Sequence, residues 1–273
     1  MNDESRLEIL NLLDVERQTI VYPDARRIAR QGLVRDFYSD GKSCEVAYSH
    51  SSESEIDQLI QEGITDCLRE GYELEWKLYG HDQPHCLRER LIASGFEAGD
   101  LEAFMVLRTK SDTMEQFAGI ENTDIKRVND ENSLKDYQII MEEVHGTNRD
   151  SEVEQYRFML ENHPNNMSLY VAYVDGEAAT CGRVYFHEES QFAGLYGGNT
   201  RVKYRKRGLF TQIVGVRVRE AIKRGIPYIC VDALPTSEPI LTRLGFERLT
   251  YTQPFTFMLP SLAPSQRTVA DES

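Results

Sequence analysis

Four consecutive residues, Arg205-Lys206-Arg207-Gly208, stand in the run NTRVKYRKRGLFTQIV at residues 199–214. Three cations and a glycine just ahead of a helical pattern are suited to hold an anion. The first amides of a helix have no intrahelical acceptor, and the helix dipole favours negative charge there. Glycine lets a ligand come close to the backbone, and arginine can grip a phosphate through two parallel hydrogen bonds. The clump runs against the rest of the chain, which carries 31 Lys+Arg against 45 Asp+Glu, a formal net charge of −14. Such a balance repels nucleic acid and anionic membrane, so a small anion is expected in place of a polyanion. The run lacks the Gly-Lys-Ser/Thr ending of a Walker loop and the Gly-x-Gly-x-x-Gly of a dinucleotide site. A solvated basic turn that merely starts a helix is the alternative reading of the same residues.

Other chemistry-bearing residues are sparse. Cys44, Cys67, Cys86, Cys181 and Cys230 are odd in number, widely spaced and without a Cys-x-x-Cys pair, which argues against a disulfide framework and for a reducing compartment. His81, Asp82, His85 and Cys86 form a loose group in HDQPHC without a second ligand pair, so no metal is expected. His145, His163 and His187 read as surface or capping residues. The first residues, MNDESRLEIL, are charged where a signal peptide is apolar, and no run approaches the roughly 18 apolar residues of a membrane span. A soluble, cytoplasmic protein is expected.

The elements that must position the basic loop come twice. ITDCLREGYELEWKLYG followed by CLRERLIASGFE has the same order as VREAIKRGIPYICVDALP followed by PILTRLGFE. Each predicts the end of an amphipathic helix, a stopping glycine (Gly71, Gly225), a strand, a polar loop, a short helix and a Gly-Phe-Glu leading into another strand. Ahead of the second helix stands the Gly208 loop; ahead of the first stands CEVAYSHSSESEIDQLI, acidic and without glycine. Only the second copy is therefore expected to hold an anion. SDTMEQFAGIENTD between the copies reads as a linker, with a boundary near Asp124. Leu134, Tyr137, Ile140, Met141 and Val144 share one face of a predicted helix, VEQYRFMLENH makes another, and three strands follow with an Asp175–Gly176 hairpin. The expected fold class is mixed α/β with a largely antiparallel central sheet. Expected domains are 1–124 with an N-terminal helical segment, 125–260, and a disordered tail at 261–273. Trp76 is expected in the core of the first domain or against the second.

Strand, Arg-x-x-Gly turn, long helix, strand, and a helix ending in Leu-Gly-Phe together resemble the core of the GNAT superfamily of acetyl-CoA-dependent N-acetyltransferases. The resemblance covers residues 126–259, and the first half looks like a degenerate copy that has lost its cofactor loop, so a tandem GNAT protein is implied. In the family an Arg/Gln-x-x-Gly-x-Gly/Ala turn binds the pyrophosphate of coenzyme A through backbone N–H groups. Residues Arg205, Lys206, Arg207, Gly208, Leu209, Phe210 and Thr211 occupy that stretch here, with Phe210 in place of a small residue, so its ring must point away from the cofactor. Gly198, Asn199 and Thr200 lie where the family pairs backbone with the pantetheine arm.

What the resemblance implies is direct transfer of acetyl from acetyl-CoA to a small-molecule or peptide amine, with a base or water chain taking the amine's proton. The family often protonates the leaving thiolate with a Tyr four residues before the Gly of Gly-Phe; that position here is Leu241. Tyr196 and Asp232, on either side of the gap where the family opens its sheet, are the substitute catalytic candidates. Core packing for Tyr196 and capping of the following loop for Asp232 are the alternative roles. Ser237 reads as a helix N-cap. The competing functions are a non-catalytic module that binds coenzyme A or a partner, and an acyltransferase for longer acyl-CoA. An acidic surface suits a cationic acceptor.

Overall fold

The computed structural model describes residues 2–30, 32–110, 112–119 and 124–259. The expected tail at 261–273 lies outside the described residues. In chain order the elements are α1 (Asp3–Thr19), β1 (Ala25–Arg30), β2 (Leu33–Tyr38), β3 (Ser43–Ser49), α2 (Ile56–Glu70), β4 (Glu73–Tyr79), α3 (Leu87–Ala93), β5 (Glu97–Ala98), β6 (Glu102–Arg108) and α4 (Thr113–Ala118). Then come β7 (Asp124–Arg127), α5 (Glu131–His145), α6 (Asp150–Asn162), β8 (Met167–Val174), β9 (Glu177–Tyr185), β10 (Phe192–Thr200), a 3-10 turn at Val202–Tyr204, α7 (Leu209–Lys223), β11 (Tyr228–Ala233), α8 (Glu238–Arg243) and β12 (Glu247–Phe257). No helix among the described residues is long and apolar enough to cross a membrane.

Packing groups the chain into two compact units, Met1–Arg26 with Leu101–Thr252, and Arg27–Asp100 with Gln253–Ser273. These cuts differ from the sequence boundary expected near Asp124. Within the larger unit α1 belongs with the second half of the chain: Arg6 Nε donates to the carbonyl of Leu249 at 2.7 Å, and a Glu16 carboxylate oxygen accepts from the Gln191 amide at 2.8 Å. The expected linker holds structure too. Phe117 of α4 is fully buried, its carbonyl accepts from Arg219, and Gln116 donates to the carbonyl of Leu244. One aromatic in a polar run is enough to anchor a single helical turn, and periodicity cannot register so short a piece.

The larger unit orders its strands β7-β8-β9-β10-β11-β6-β12. Asp130 starts α5 through a capping box with Ser133, and Gly146 stops it in the left-handed region. Asp175 (φ 52°) and Gly176 (φ 81°) both take positive φ, the requirement of a two-residue hairpin, and β8 pairs antiparallel with β9 on either side. Side chains then alternate between two covered faces. Ile213, Val214, Val218 and Ala221 of α7 pack on Val184, Ala193, Leu195 and Ile229. Leu134, Tyr137, Ile140 and Met141 of α5, with Tyr156 and Met159 of α6, pack on Leu169, Val171 and Cys181 of the opposite face. The fold class is the expected mixed α/β with a largely antiparallel sheet.

The smaller unit carries the repeat. β3 and β4 are parallel, with Cys44 opposite Leu74, and α2 joins them, as α7 joins β10 and β11. Gly71 (φ 79°) answers Gly225 (φ 77°), and Gly95 (φ 89°) answers Gly245 (φ 90°). Its core is built on Ile56, Ile60, Leu74, Trp76, Leu91 and Phe96, and Trp76 Nε1 donates to Ser49 Oγ at 3.3 Å. Phe255, from the far end of the sequence, is fully buried in the same core, and Phe255 and Thr256 pair with Ala98 and Glu97 of β5. Each unit is thus completed by the other half of the sequence. β6, which ends the first copy, is hydrogen-bonded between β11 and β12 in the larger unit, while the end of β12 enters the smaller one.

Candidate active site

In the larger unit β10 and β11 are paired over only three positions, from Phe192 opposite Tyr228 to Gly194 opposite Cys230. Beyond them β10 follows β9 to Thr200 and β11 follows β6 to Ala233, so the two neighbouring edges lose their ladder. The cause is local. The register of β10 slips between Tyr196 and Asn199, and Gly197 takes φ 57° there, a bulge that bends the strand out of the sheet. Unpaired edges leave backbone donors and acceptors for a ligand.

Tyr196 and Asp232 each stand two residues past the last pair, Gly194 with Cys230, and the period of two places them on one sheet face. The Tyr196 ring lies over Gly194, where a Cβ would fall 2.6 Å from its Cε2, and meets the Tyr185 ring edge-on at 5.6 Å. It is 39% exposed, so it is not a core residue. Asp232 accepts from Thr252 Oγ1 at 2.6 Å. Leu241, at the position the family gives to Tyr, is fully buried in the core. Ser237 occupies the N-cap position just before α8, but its hydroxyl donates to the Leu234 carbonyl and accepts from no helix amide, so the expected cap bond is not made.

The basic loop sorts its charges. Arg201 pairs with Glu143 at 2.5 Å, and Lys203 pairs with Glu177, which also accepts from Tyr204. Arg205, Lys206 and Arg207 are exposed and pair with no carboxylate among the described residues. Lys206 (φ 63°) and Gly208 (φ 76°) turn the chain into α7, whose first residue lacks a side-chain cap. Among the described residues the amides of 206–211 donate to no backbone oxygen of the loop or helix. Arg205, Lys206, Arg207, Gly208, Leu209, Phe210 and Thr211, the stretch expected to hold an anion, all lie on this turn, and Leu209 is buried, so only its backbone faces out.

The Phe210 side chain reaches back from the loop to β10. Its ring packs on Gly198, where a Cβ would lie 2.7 Å from Cε2. Of the three residues expected beside the pantetheine arm, Asn199 and Thr200 already offer their carbonyls to Thr180 Oγ1 at 2.6 Å and to Arg205 Nε at 3.1 Å. Gly198 has no such side-chain partner. Beneath the bulge Arg217 of α7, 2% exposed, donates to the carbonyls of Tyr196 and Arg183 at 3.0 and 2.9 Å. Burial pushes its guanidinium down to about 10. A Cβ on Gly182 would meet that guanidinium at 2.8 Å, so a glycine is required opposite it.

Two polar residues on the α5/α6 face escape sequence reading. His145 ends α5 beside Asn199, and desolvation together with the Arg149 charge lowers its pKa below the usual imidazole value. Arg183 of β9 sits in register with Tyr196, on the same face. Nothing local marks either: one reads as a helix end, the other as a lone cation in an apolar strand.

Among the described residues the smaller unit has no equivalent basic turn. At the corresponding end of α2, Glu55 accepts from the Ser52 hydroxyl at 2.6 Å, which lowers its pKa. A carboxylate thus stands where an anion would dock, beside a cavity of about 500 Å³ lined by His50, Ser51, Ser52 and Gln58.

No family model matches the chain, and no curated protein matches it in sequence. Solved structures do. A GCN5-related N-acetyltransferase from Kribbella flavida superposes with a TM-score of 0.67 at 14% identity, over 96% of this chain and 98% of that one. A functionally unknown conserved protein from Staphylococcus epidermidis gives 0.62 at 16% identity, covering 88% and 98%. A tandem GNAT protein from the clavulanic acid biosynthesis pathway gives 0.59 at 13% identity, covering 94% and 95%. The chain has the GNAT acetyltransferase fold in its tandem form.

Proposed function

We propose that the larger unit transfers the acetyl group of acetyl-CoA to an amine of a small molecule or peptide. One observation carries the reading: on a single strand-to-helix turn, three exposed unpaired cations meet six uncapped amides, at the point where β10 and β11 part. A diphosphate suits that set, because helix-end amides and arginine forks both favour phosphate oxygens. Gly198, whose backbone takes no side-chain partner, offers the strand edge to the pantetheine amides. When bound, the thioester supplies an acyl carbon open to attack.

The residues on the opposite face handle protons. An amine attacks only when neutral, so its proton needs an acceptor. His145, whose imidazolium is disfavoured by desolvation and by Arg149, takes that role in this reading. Tyr196, past the end of the ladder, donates to the departing sulfur in place of the missing tyrosine at 241. Asp232, fixed by Thr252, orients the incoming amine. The five free cysteines suit a reducing compartment such as the cytosol.

A second reading, a coenzyme A binding module without turnover, draws on buried Leu241 and the absence of the family's proton donor. The deciding experiment mixes purified protein with acetyl-CoA and an amine panel and follows free thiol, alongside calorimetry with coenzyme A. Turnover supports the enzyme. Heat of binding without turnover supports the module, and no heat overturns both. Longer acyl-CoA donors in the same assay test acyl-chain preference.

A further inference from the structure

Among the described residues Arg183 is a cation without a counter-ion. Its guanidinium lies over three rings, at 5.1 Å from the centroid of Tyr156, 5.6 Å from Tyr196 and 5.8 Å from Tyr185. Tyr156 is 3% exposed and Arg183 itself is only partly exposed. No carboxylate among the described residues pairs with it, and its Nε, although buried, has no hydrogen-bond partner. The Tyr137 hydroxyl, also buried, lies beside the guanidinium and pairs with no carboxylate among the described residues. The nearest acids on this face are engaged elsewhere: Glu152 pairs with Arg149, and Asp24 accepts from Gln155.

Burying a guanidinium without an anion is costly, and ring faces offset only part of that cost. The chain keeps this arrangement open by design of the backbone. Gly197, at the bulge, leaves room that any Cβ would take from Arg183 Nη1. The position is also specific, since Arg183 is in register with Tyr196, at the parting of β10 and β11, and faces α5 and α6 on the side away from α7.

We infer that Arg183, with the Tyr137 hydroxyl and the tyrosine rings around it, is a subsite for an acidic group of the acceptor, so that the amine acetylated belongs to a molecule that also carries a carboxylate. This rests on the acetyltransferase reading, and it replaces the cationic acceptor that net charge alone suggests. The guanidinium fork donates two parallel hydrogen bonds to a carboxylate, a tyrosine hydroxyl donates a third, and the rings exclude water from the pair. Net charge acts at long range and is screened, whereas an unpaired, part-buried cation at the gap decides what docks there.

The test compares two series differing in one group, the common L-amino acids and their carboxamides. Both are scored by thiol release from acetyl-CoA and, without turnover, by saturation-transfer NMR in the presence of coenzyme A. Wild type is expected to favour acids over amides by tenfold or more in at least one pair. Arg183→Gln abolishes the preference, and Arg183→Lys restores it in part. Calorimetric affinity for coenzyme A, unchanged in both variants, shows that the fold and loop are intact. Equal binding of the two series, a preference that survives in Arg183→Gln, or no binding by either series overturns the inference. Loss of coenzyme A heat in wild type overturns the acetyltransferase reading instead.

Discussion

The ring of Phe210 lies against the backbone of Gly198, filling the space where any larger residue at 198 would place its Cβ. Two departures from small-residue patterns are thus one feature: the loop admits a phenylalanine because the strand beside it is bare. Gly198→Ala is expected to displace the ring toward the cradle, with a destabilisation of about 1–3 kcal/mol and roughly tenfold weaker coenzyme A binding. Phe210→Ala added to it restores affinity. A double-mutant cycle by calorimetry measures the coupling, and additive effects would show that the two residues act separately.

The loop's cations are not equivalent. Neutralising Arg205, Lys206 and Arg207 to glutamine is expected to weaken coenzyme A binding at least tenfold and to flatten its dependence on salt. Arg201→Gln and Lys203→Gln, which remove charges already matched by Glu143 and Glu177, change affinity little. Titrations at several ionic strengths separate the two groups.

Gly208 turns the chain at φ 76° with nothing within 4 Å of the place a Cβ would occupy. Substitution there fails through backbone conformation, not through a clash. Gly208→Val, at a strain of about 1–3 kcal/mol, is expected to abolish coenzyme A binding while leaving the circular dichroism spectrum unchanged. Gly208→Asn, which tolerates positive φ, retains binding.

His145 has a pKa below its ordinary 6.5 because burial and Arg149 disfavour the imidazolium, against the opposing pull of Glu152. A base so placed gives kcat/KM an ascending limb centred below pH 6.5, and His145→Gln removes that limb. The stability sign follows: the unfolded chain binds this proton more readily, so the contribution is present above the ordinary pKa and lost as pH falls through it. A melting series from pH 7.5 to about 5 should therefore separate wild type from variant at the acid end only.

Phe255 is fully buried in a core whose other buried members lie between residues 33 and 96. Phe255→Ala is expected to cost the protein about 3–5 kcal/mol. Calorimetric melting with one cooperative loss of temperature, and no change in coenzyme A affinity at 25 °C, is the predicted outcome. A shifted affinity with no shift in melting would contradict it.

By itself the sequence determined the repeat, because helix stops, strand patterns and Gly-Phe-Glu corners are local and the same glycines take the same positive φ in both copies. It also determined the basic turn ahead of α7, since cations, a glycine and a helix start are contiguous. Only the tertiary structure decided which of those cations stay unpaired, because Glu143 and Glu177 reach the loop from distant elements. It alone assembled Arg183 with Tyr137, Tyr156, Tyr185 and Tyr196, spread over α5, α6, β9 and β10. And it placed β6 and the end of β12 in the units completed by the other half of the chain. Strand pairing is a long-range choice of hydrogen-bond partner, and nothing within a strand's own residues names the edge it will join.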